Sequence, residues 1–122
     1  MHVVPVLFDS RLLYARVQRG FFDVIAHEDA IEINGGMSTG DVGWQLSAVA
    51  TRRRSRITVS IIASRDGIEE QEPGMEDHAY SVRLEPLRPG SYSVTVRHVF
   101  RSAPGEGPAQ SIIALECDVR IE

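Results

Sequence analysis

Arginine side chains are concentrated in one short stretch of the sequence, RRRSR at positions 52 to 56. A guanidinium group forms paired hydrogen bonds with carboxylates and phosphates, so we expect Arg52, Arg53 and Arg54 to bind phosphate or an acidic partner. The alternative is a solvated turn whose charges discourage strand pairing between molecules. The formal net charge is −4 and no aromatic residues interleave the arginines, so nucleic-acid binding is not expected.

The metal-binding types of residue show no metal-binding pattern. None of the four histidines belongs to an HExxH motif, a paired Cys/His finger or a three-histidine cluster. The acidic segment from 66 to 78 has carboxylates for a cation such as calcium, but it lacks the register of an EF-hand. We interpret this segment as a solvated loop and leave cation binding there open. The sequence thus predicts no metal site and no cofactor.

The residue types that perform covalent or acid–base catalysis are equally uninformative. No serine lies in a GxSxG motif, and no two carboxylates are marked as an acid and a base in unlike environments. Cys117 is the only cysteine, and alternation places it with Leu115 and Val119 on one strand face as a buried, unreactive thiol. His98 alternates with apolar residues in the same way, and we expect a loop carbonyl or water to satisfy its ring. We predict no catalytic residue and no enzymatic activity.

A glycine-rich segment precedes the only tryptophan of the chain. The stretch INGGMSTGDVGW, residues 33 to 44, contains four glycines, but its register and context do not match a phosphate-binding loop. We expect 34–43 to be a loop whose far end is anchored by Trp44. The alternative function that this segment suggests is a carbohydrate-binding module, in which Trp44 and Asp41 contact a glycan.

The elements that position these residues are predicted by every-second-residue alternation of apolar side chains, which is typical of a strand with one buried face. The alternation is clear in five segments: 44–51, 57–64, 80–84, 91–101 and 111–121. Three further strands are expected in the first third of the chain, where a short helix within 12–22 is the alternative. Turn signals separate these segments at NGG (34–36), DG (66–67), RPG (88–90) and PGEGP (104–108).

The predicted outward faces of these strands are not fully polar. Val49, Ile62, Val99 and Ile112 all fall on the side opposite the core. If they gather, they form an apolar patch that association would bury at about 25 cal/mol per Å². This predicts a non-enzymatic interaction or accessory domain that binds a protein partner or self-associates through a sheet face.

A Pro-Gly turn lies just before a tyrosine that begins a long alternating run. The stretch Leu87-Arg88-Pro89-Gly90-Ser91-Tyr92 resembles the corner of immunoglobulin-like and fibronectin type III domains, in which a tyrosine hydroxyl bonds to the backbone a few residues upstream. The resemblance implies an all-β fold, an antiparallel immunoglobulin-like β-sandwich of seven to eight strands. It also implies a class of domain that mostly binds proteins or sugars or acts as a spacer.

The bulk properties indicate a single domain spanning 1–122. A chain of 122 residues that is 43% hydrophobic and 25% charged can bury a core without disulfides or metals. The N-terminal apolar run is short and interrupted by Pro5 and Asp9, which argues against a membrane span or a signal peptide. We expect a cytoplasmic protein, or an exported one from which a leader has been removed.

Overall fold

The computed structural model of the protein describes residues 1–13, 22–41, 43–65, 73–101 and 110–122. Within these ranges the chain forms nine β-strands and no helix, which confirms the all-β prediction, although seven or eight strands were expected. The strands are β1 (His2–Val4), β2 (Val6–Leu13), β3 (Phe22–Ala26), β4 (Ile31–Asp41), β5 (Gln45–Arg53), β6 (Arg56–Ser64), β7 (Pro73–Leu84), β8 (Gly90–Arg101) and β9 (Gln110–Ile121). Of the alternative helix, residues 12 and 13 end β2, Phe22 begins β3, and 14–21 lie outside the described residues.

The nine strands form two sheets. Sheet I has the order β1-β5-β6-β8-β9, and sheet II has the order β2-β7-β4-β3. Neighbouring strands are antiparallel except β6 and β8, which are parallel, so the prediction of a wholly antiparallel sandwich is wrong at this pair. After β6 the chain crosses to sheet II as β7 and returns to sheet I as β8. The chain reverses direction once on entering β7 and again on entering β8. Strand β8 therefore runs parallel to β6, beside which it lies.

The two sheets share one buried core. Alternate residues of β6 and β8 are buried, as their sequence pattern predicts. The core cluster contains, from sheet I, Val4, Ala50, Ile57, Val59, Ile61, Ala63, Tyr92, Val94, Val96, Val119 and Ile121, and from sheet II, Ile31, Ile33, Met37, Tyr80, Val82 and Leu84, together with Leu87. Burial of one such aliphatic side chain contributes about 1.5–3 kcal/mol, so this cluster is the main source of stability.

The tyrosine corner forms as expected. The hydroxyl of Tyr92 donates a hydrogen bond to the carbonyl oxygen of Arg88 at 2.6 Å, and Tyr92 itself is buried. This bond ties the segment between β7 and β8 to the start of β8. Leu87, in the same segment, belongs to the core cluster.

Two segments predicted as loops belong to strands. Residues 34–41 lie in β4, which is paired with β3 on one side and β7 on the other; residues 73–78 of the acidic segment lie in β7. Gly35 shows why a glycine here does not signal a turn. A Cβ at Gly35 would lie 2.7 Å from the Phe22 ring and 2.8 Å from the Tyr80 hydroxyl, so the missing side chain makes room for two aromatic residues.

Strand β9 contains a β-bulge. Leu115 is paired with Val96, but the next pair joins Ile113 to Arg97, which leaves Ala114 as the extra residue. A bulge reverses the facing of all residues beyond it. The simple alternation predicted for 111–121 therefore holds from Leu115 onward and fails before it.

Candidate interaction surfaces

The outer face of sheet I carries an apolar band that crosses four strands. Ile62 is paired with Val99 across the parallel β6–β8 pair. Val49 is paired with Ser60, and Ile113 with Arg97, one row away. We call Val49, Ile62, Val99 and Ile113 the apolar band; Val49 is 50% exposed and Ile113 is 53% exposed. The prediction that Val49, Ile62 and Val99 share an outward face agrees with this register.

Ile112, the fourth residue predicted for this patch, is on the other side of the strand. The bulge pairs it with His98, which points into the core, whereas Ile113 takes the outward position beside Arg97. Ile112 is 58% exposed because β9 is the edge strand of sheet I. The position of the bulge is not encoded in the alternation of apolar residues, since both Ile112 and Ile113 are isoleucine.

The same outer face carries charges of both signs, and one of its rows has opposite charges at its two ends. Arg53 and Arg56 are paired at the β5–β6 end, and Arg56 is level with Ser93, which in turn is level with Asp118 of β9. Glu116 lies in the adjacent row, opposite Thr95. One row of the face therefore begins with two arginines and ends with a carboxylate.

The three arginines predicted to bind a partner are divided between two surfaces. Successive side chains of a strand point to opposite faces, so Arg53 points to the outer face of sheet I and Arg52 points the other way. Arg54 lies in the turn after β5 with a φ of 57°, in the left-handed region. Arg52 and Arg54 line a separate cleft.

This cleft, which we call the basic cleft, has a volume of about 500 Å³. Its described lining residues are His2, Val3, Val4, Pro5, Arg52, Arg54, Pro86, Leu87 and Arg88. Three guanidinium groups and an imidazole thus surround it, and none of these lining residues carries a carboxylate. The arginine turn supplies only two of its three cations, because Arg88 comes from the tyrosine corner.

A second depression, of about 390 Å³, lies on sheet II. Asp9, Arg11, Asn34 and Ser81 are among its lining residues, and the Asn34 amide donates to a Glu32 carboxylate oxygen at 3.2 Å. Its floor is formed by the small residues Gly35 and Ala79 together with the buried Tyr80. Because carboxylate and guanidinium occur side by side, the depression favours no single charge of ligand.

The interior contains two buried histidines that bond within the protein. His98 Nε2 lies 2.8 Å from the hydroxyl of Tyr80 in the opposite sheet, so at this nitrogen the partner is a side chain and not the expected loop carbonyl or water. His78 Nε2 lies 3.3 Å from the Thr39 hydroxyl. Burial lowers the pKa of His98. Burial also lowers the pKa of His78, although the carboxylates of Glu76 and Asp77 act in the opposite direction. Burial also raises the pKa of Tyr80.

Cys117 is half-buried, and burial raises the pKa of its thiol, with a smaller effect of Asp118 in the same direction. A raised pKa keeps the sulfur in its protonated, less nucleophilic form. The geometry agrees with the expected unreactive thiol.

Trp44 is half-buried, and two neighbours cover parts of its ring. Phe100 contacts it edge-on with the ring centroids 6.1 Å apart, and the guanidinium carbon of Arg65 lies 5.0 Å from its centroid. A sugar-stacking platform requires an open aromatic face, and the loop expected beside Trp44 is β4 as far as Asp41. These observations weaken the carbohydrate-binding alternative.

The described residues contain neither a metal-binding cluster nor a membrane-spanning helix. Within them there is no cluster of three or more histidine, cysteine or acidic side chains able to hold a metal ion. Over the same ranges, no helix has the length and apolar character needed to cross a membrane. Residues 66–72, on which the possible cation loop depended, lie outside the described residues.

Comparison of the chain with protein-family models, with curated proteins and with solved structures finds no match.

Proposed function

We propose that the protein is a non-enzymatic interaction domain that associates with a second copy of itself through the outer face of sheet I. The observation that supports this proposal is the self-complementarity of that face in the register of its strands. In a twofold dimer both copies use the same patch, so a residue that faces a second residue of the partner copy is itself repeated as the reciprocal contact across the axis. The face can therefore be tested for compatibility with a copy of itself.

The relevant axis lies in the interface and runs parallel to the strands, between β6 and β8. Such an axis places β6 against β8 of the second copy, and β5 against its β9. At the level of the apolar band, Ile62 faces Val99 of the second copy, and Val49 faces its Ile113. Apolar side chains thus meet apolar ones at these positions, and between Val49 and Ile113 the same axis places Ser60 against Arg97 of the second copy.

The charged row is matched by the same operation. Arg53 of one copy faces Asp118 of the other, and Thr51 faces Glu116. Face-to-face sheets cross at roughly 30°, so pairs near the axis keep their match best. We therefore assign the affinity mainly to Ile62 and Val99 and the choice of register mainly to the outer charges.

The size of the face is adequate for a stable contact. The four long strands, about 4.8 Å apart and over nine residues that each rise about 3.3 Å, cover on the order of 600 Å², at the lower end of the standard range for one partner. A standard interface buries about 800 Å² on each partner. Ile62 and Val99 near the axis and the charged row at one end resemble the core and rim of such interfaces, with Arg97 as a charged residue beside the core.

The test of this proposal is the mass of the protein in solution, measured by light scattering and sedimentation over a concentration series. We expect a concentration-dependent dimer, and we expect Val99→Arg to shift it to monomer because two guanidinium groups would be buried beside Ile62. Leu7→Arg is the matched control, since Leu7 is 58% exposed on β2 of the other sheet. A wild-type protein that stays monomeric, or equal effects of the two variants, would overturn the proposal.

The twofold arrangement itself is tested by exchanging charges. Arg53→Asp or Asp118→Arg alone places like charges opposite each other, so each should weaken the dimer several-fold. The double variant restores opposite charges across the interface and should recover most of the affinity. Additive weakening in the double variant would exclude this register.

The immunoglobulin-like character of the fold is a further proposal, limited to the tyrosine corner. The bond from Tyr92 to the Arg88 carbonyl supports it, as do the two packed sheets. The parallel β6–β8 pair departs from the antiparallel sheets of that superfamily. We therefore restrict the proposed relationship to the corner motif.

A further inference from the structure

We propose that the basic cleft is a binding site for a phosphate monoester whose organic group is apolar. The inference is independent of self-association, because the cleft lies on the opposite side of the β5–β6 hairpin from Arg53 and the apolar band.

The first step of the argument is charge. Arg52, Arg54 and Arg88 line the cleft together with His2, and its described lining contains no carboxylate. Among the described residues, no ion pair involves any of these three arginines. In a chain with a net charge of −4, three uncompensated guanidinium groups around one concavity create a local positive potential that attracts anions.

The second step is preorganisation. The Nε of Arg52 donates to the carbonyl oxygen of Arg54 at 2.6 Å, and the Arg52 guanidinium carbon lies 5.3 Å from the centroid of the Tyr92 ring. The Tyr92 hydroxyl in turn donates to the carbonyl of Arg88. These contacts hold the Arg52 side chain between the backbone carbonyl of Arg54 and the Tyr92 ring, and they bond Nε rather than the terminal nitrogens of Arg52. An anion meets a guanidinium whose ordering cost has already been met by the fold.

The third step is the backbone of Arg54. Its φ of 57° is a conformation that glycine and asparagine adopt most easily and that costs other residues roughly 1–2 kcal/mol. This strained turn directs an arginine to the cleft, although an unstrained residue type would close the same hairpin. Strain of this kind is found where a side chain has a role besides closing the turn.

The fourth step is the class of anion. Three guanidinium groups suit a doubly charged phosphate, whose oxygens accept several hydrogen bonds at once, better than a single carboxylate. A volume of about 500 Å³ exceeds that of a phosphate group alone. The remaining walls are apolar, formed by Val3, Pro5, Pro86 and Leu87, and they fit an apolar substituent on the phosphate.

The experiment is isothermal titration calorimetry of the full chain with three probes: phenyl phosphate, inorganic phosphate and benzoate. We expect saturable binding of phenyl phosphate that weakens as salt is added. Inorganic phosphate, which lacks the apolar group, and benzoate, which lacks the phosphate oxygens, should each bind at least about tenfold more weakly. Inorganic phosphate that binds as tightly would exclude a role for the apolar walls. Benzoate that binds as tightly would exclude selection of phosphate.

The residues are tested with Arg88→Gln and Arg54→Gln, which should each weaken phenyl phosphate at least about tenfold while the dimer mass stays that of the wild type. Arg56→Gln is the matched control, because it removes the same charge from the same hairpin but from the outer face of sheet I. Urea denaturation of each variant shows whether the fold is retained. Absence of saturable phenyl phosphate binding, or equal weakening by Arg56→Gln, would overturn the site.

Discussion

The hydroxyl of Tyr80 lies between the two sheets, where it bonds to His98 Nε2 and occupies the space left by the missing side chain of Gly35. Phe22 packs beside both residues, with its ring centroid 6.1 Å from that of His98. A buried imidazole and a buried phenol each need a partner, and here each is the partner of the other. Gly35 is what allows the pair to fit, so a residue with no side chain determines a polar contact in the core.

This pair makes stability depend on pH. Burial lowers the pKa of His98 from its ordinary value of 6.5, whereas the unfolded chain titrates near that value. The unfolded state therefore binds more protons as pH falls, so the contribution is complete above about 6.5 and is lost at more acidic pH. We expect the free energy of unfolding, measured in urea, to decrease between pH 7.5 and 5.5 by up to about 1.4 kcal/mol per pH unit from His98.

His98→Gln should reduce that decrease, because glutamine keeps a polar group for Tyr80 but does not titrate. Leu7→Gln is the control, since it introduces the same residue type at an exposed position without changing any titratable group. His78, whose pKa is also lowered, retains its own contribution in both variants. An unchanged pH dependence in His98→Gln would show that this histidine is not held in its neutral form.

Among the elements, β9 determines the composition of the proposed interface. Its bulge turns Ile113 outward and pairs Ile112 with His98. We therefore expect Ile113→Arg to weaken dimerisation at least about tenfold in sedimentation, because the new charge would face Val49 of the second copy. Ile112→Arg introduces the same charge at the neighbouring exposed position and should leave the dimer intact. The reverse ranking would place the bulge elsewhere or the interface on the other face.

The elements also show where sequence reasoning succeeds. Residues 57–64 and 91–101 have strict alternation, and their burial follows it, because one buried face imposes a period of two. Residues 34–36 were predicted as a turn on the basis of their glycines, although Gly35 is required for side-chain packing. Pairing of β6 with β8 joins distant segments, and no local pattern specifies it. The bulge lies in the β8–β9 pair, and the alternation of apolar residues does not mark its position.

The candidate sites also have some features that the sequence predicts and others that it does not. The concentration of arginines was evident, and alternation alone implies that Arg52 and Arg53 point apart. What the sequence does not contain is the approach of Arg88 to the arginine turn, since this depends on the corner between β7 and β8. The partner of His98 was also out of reach, because Tyr80 belongs to the opposite sheet.

For the whole molecule, the fold separates two surfaces that one hairpin supplies. Arg53 belongs to the outer face of sheet I, and Arg52 and Arg54 belong to the basic cleft, so the same five-residue segment can serve two partners without competition. A second copy bound to sheet I leaves the cleft open. This arrangement is the physical basis for testing the two proposals separately.

The proposed self-association would also couple folding to concentration. A dimer that forms only from folded chains stabilises the folded state by mass action, so its apparent Tm rises with protein concentration. At 100 times the dissociation constant the gain is about 2.7 kcal/mol, and for a chain of this size each kcal/mol raises Tm by roughly 3–6 °C. We therefore expect calorimetry to show a Tm that climbs by several degrees as the concentration passes through the dissociation constant.

Val99→Arg should remove this dependence and unfold at one temperature over the whole concentration range, whereas Leu7→Arg should keep it. The comparison distinguishes a lost interface from a damaged core, because a core defect lowers Tm by the same amount at every concentration. A wild-type Tm that does not move would mean that folded chains gain nothing from each other, and the apolar band would then have to be covered by a different protein.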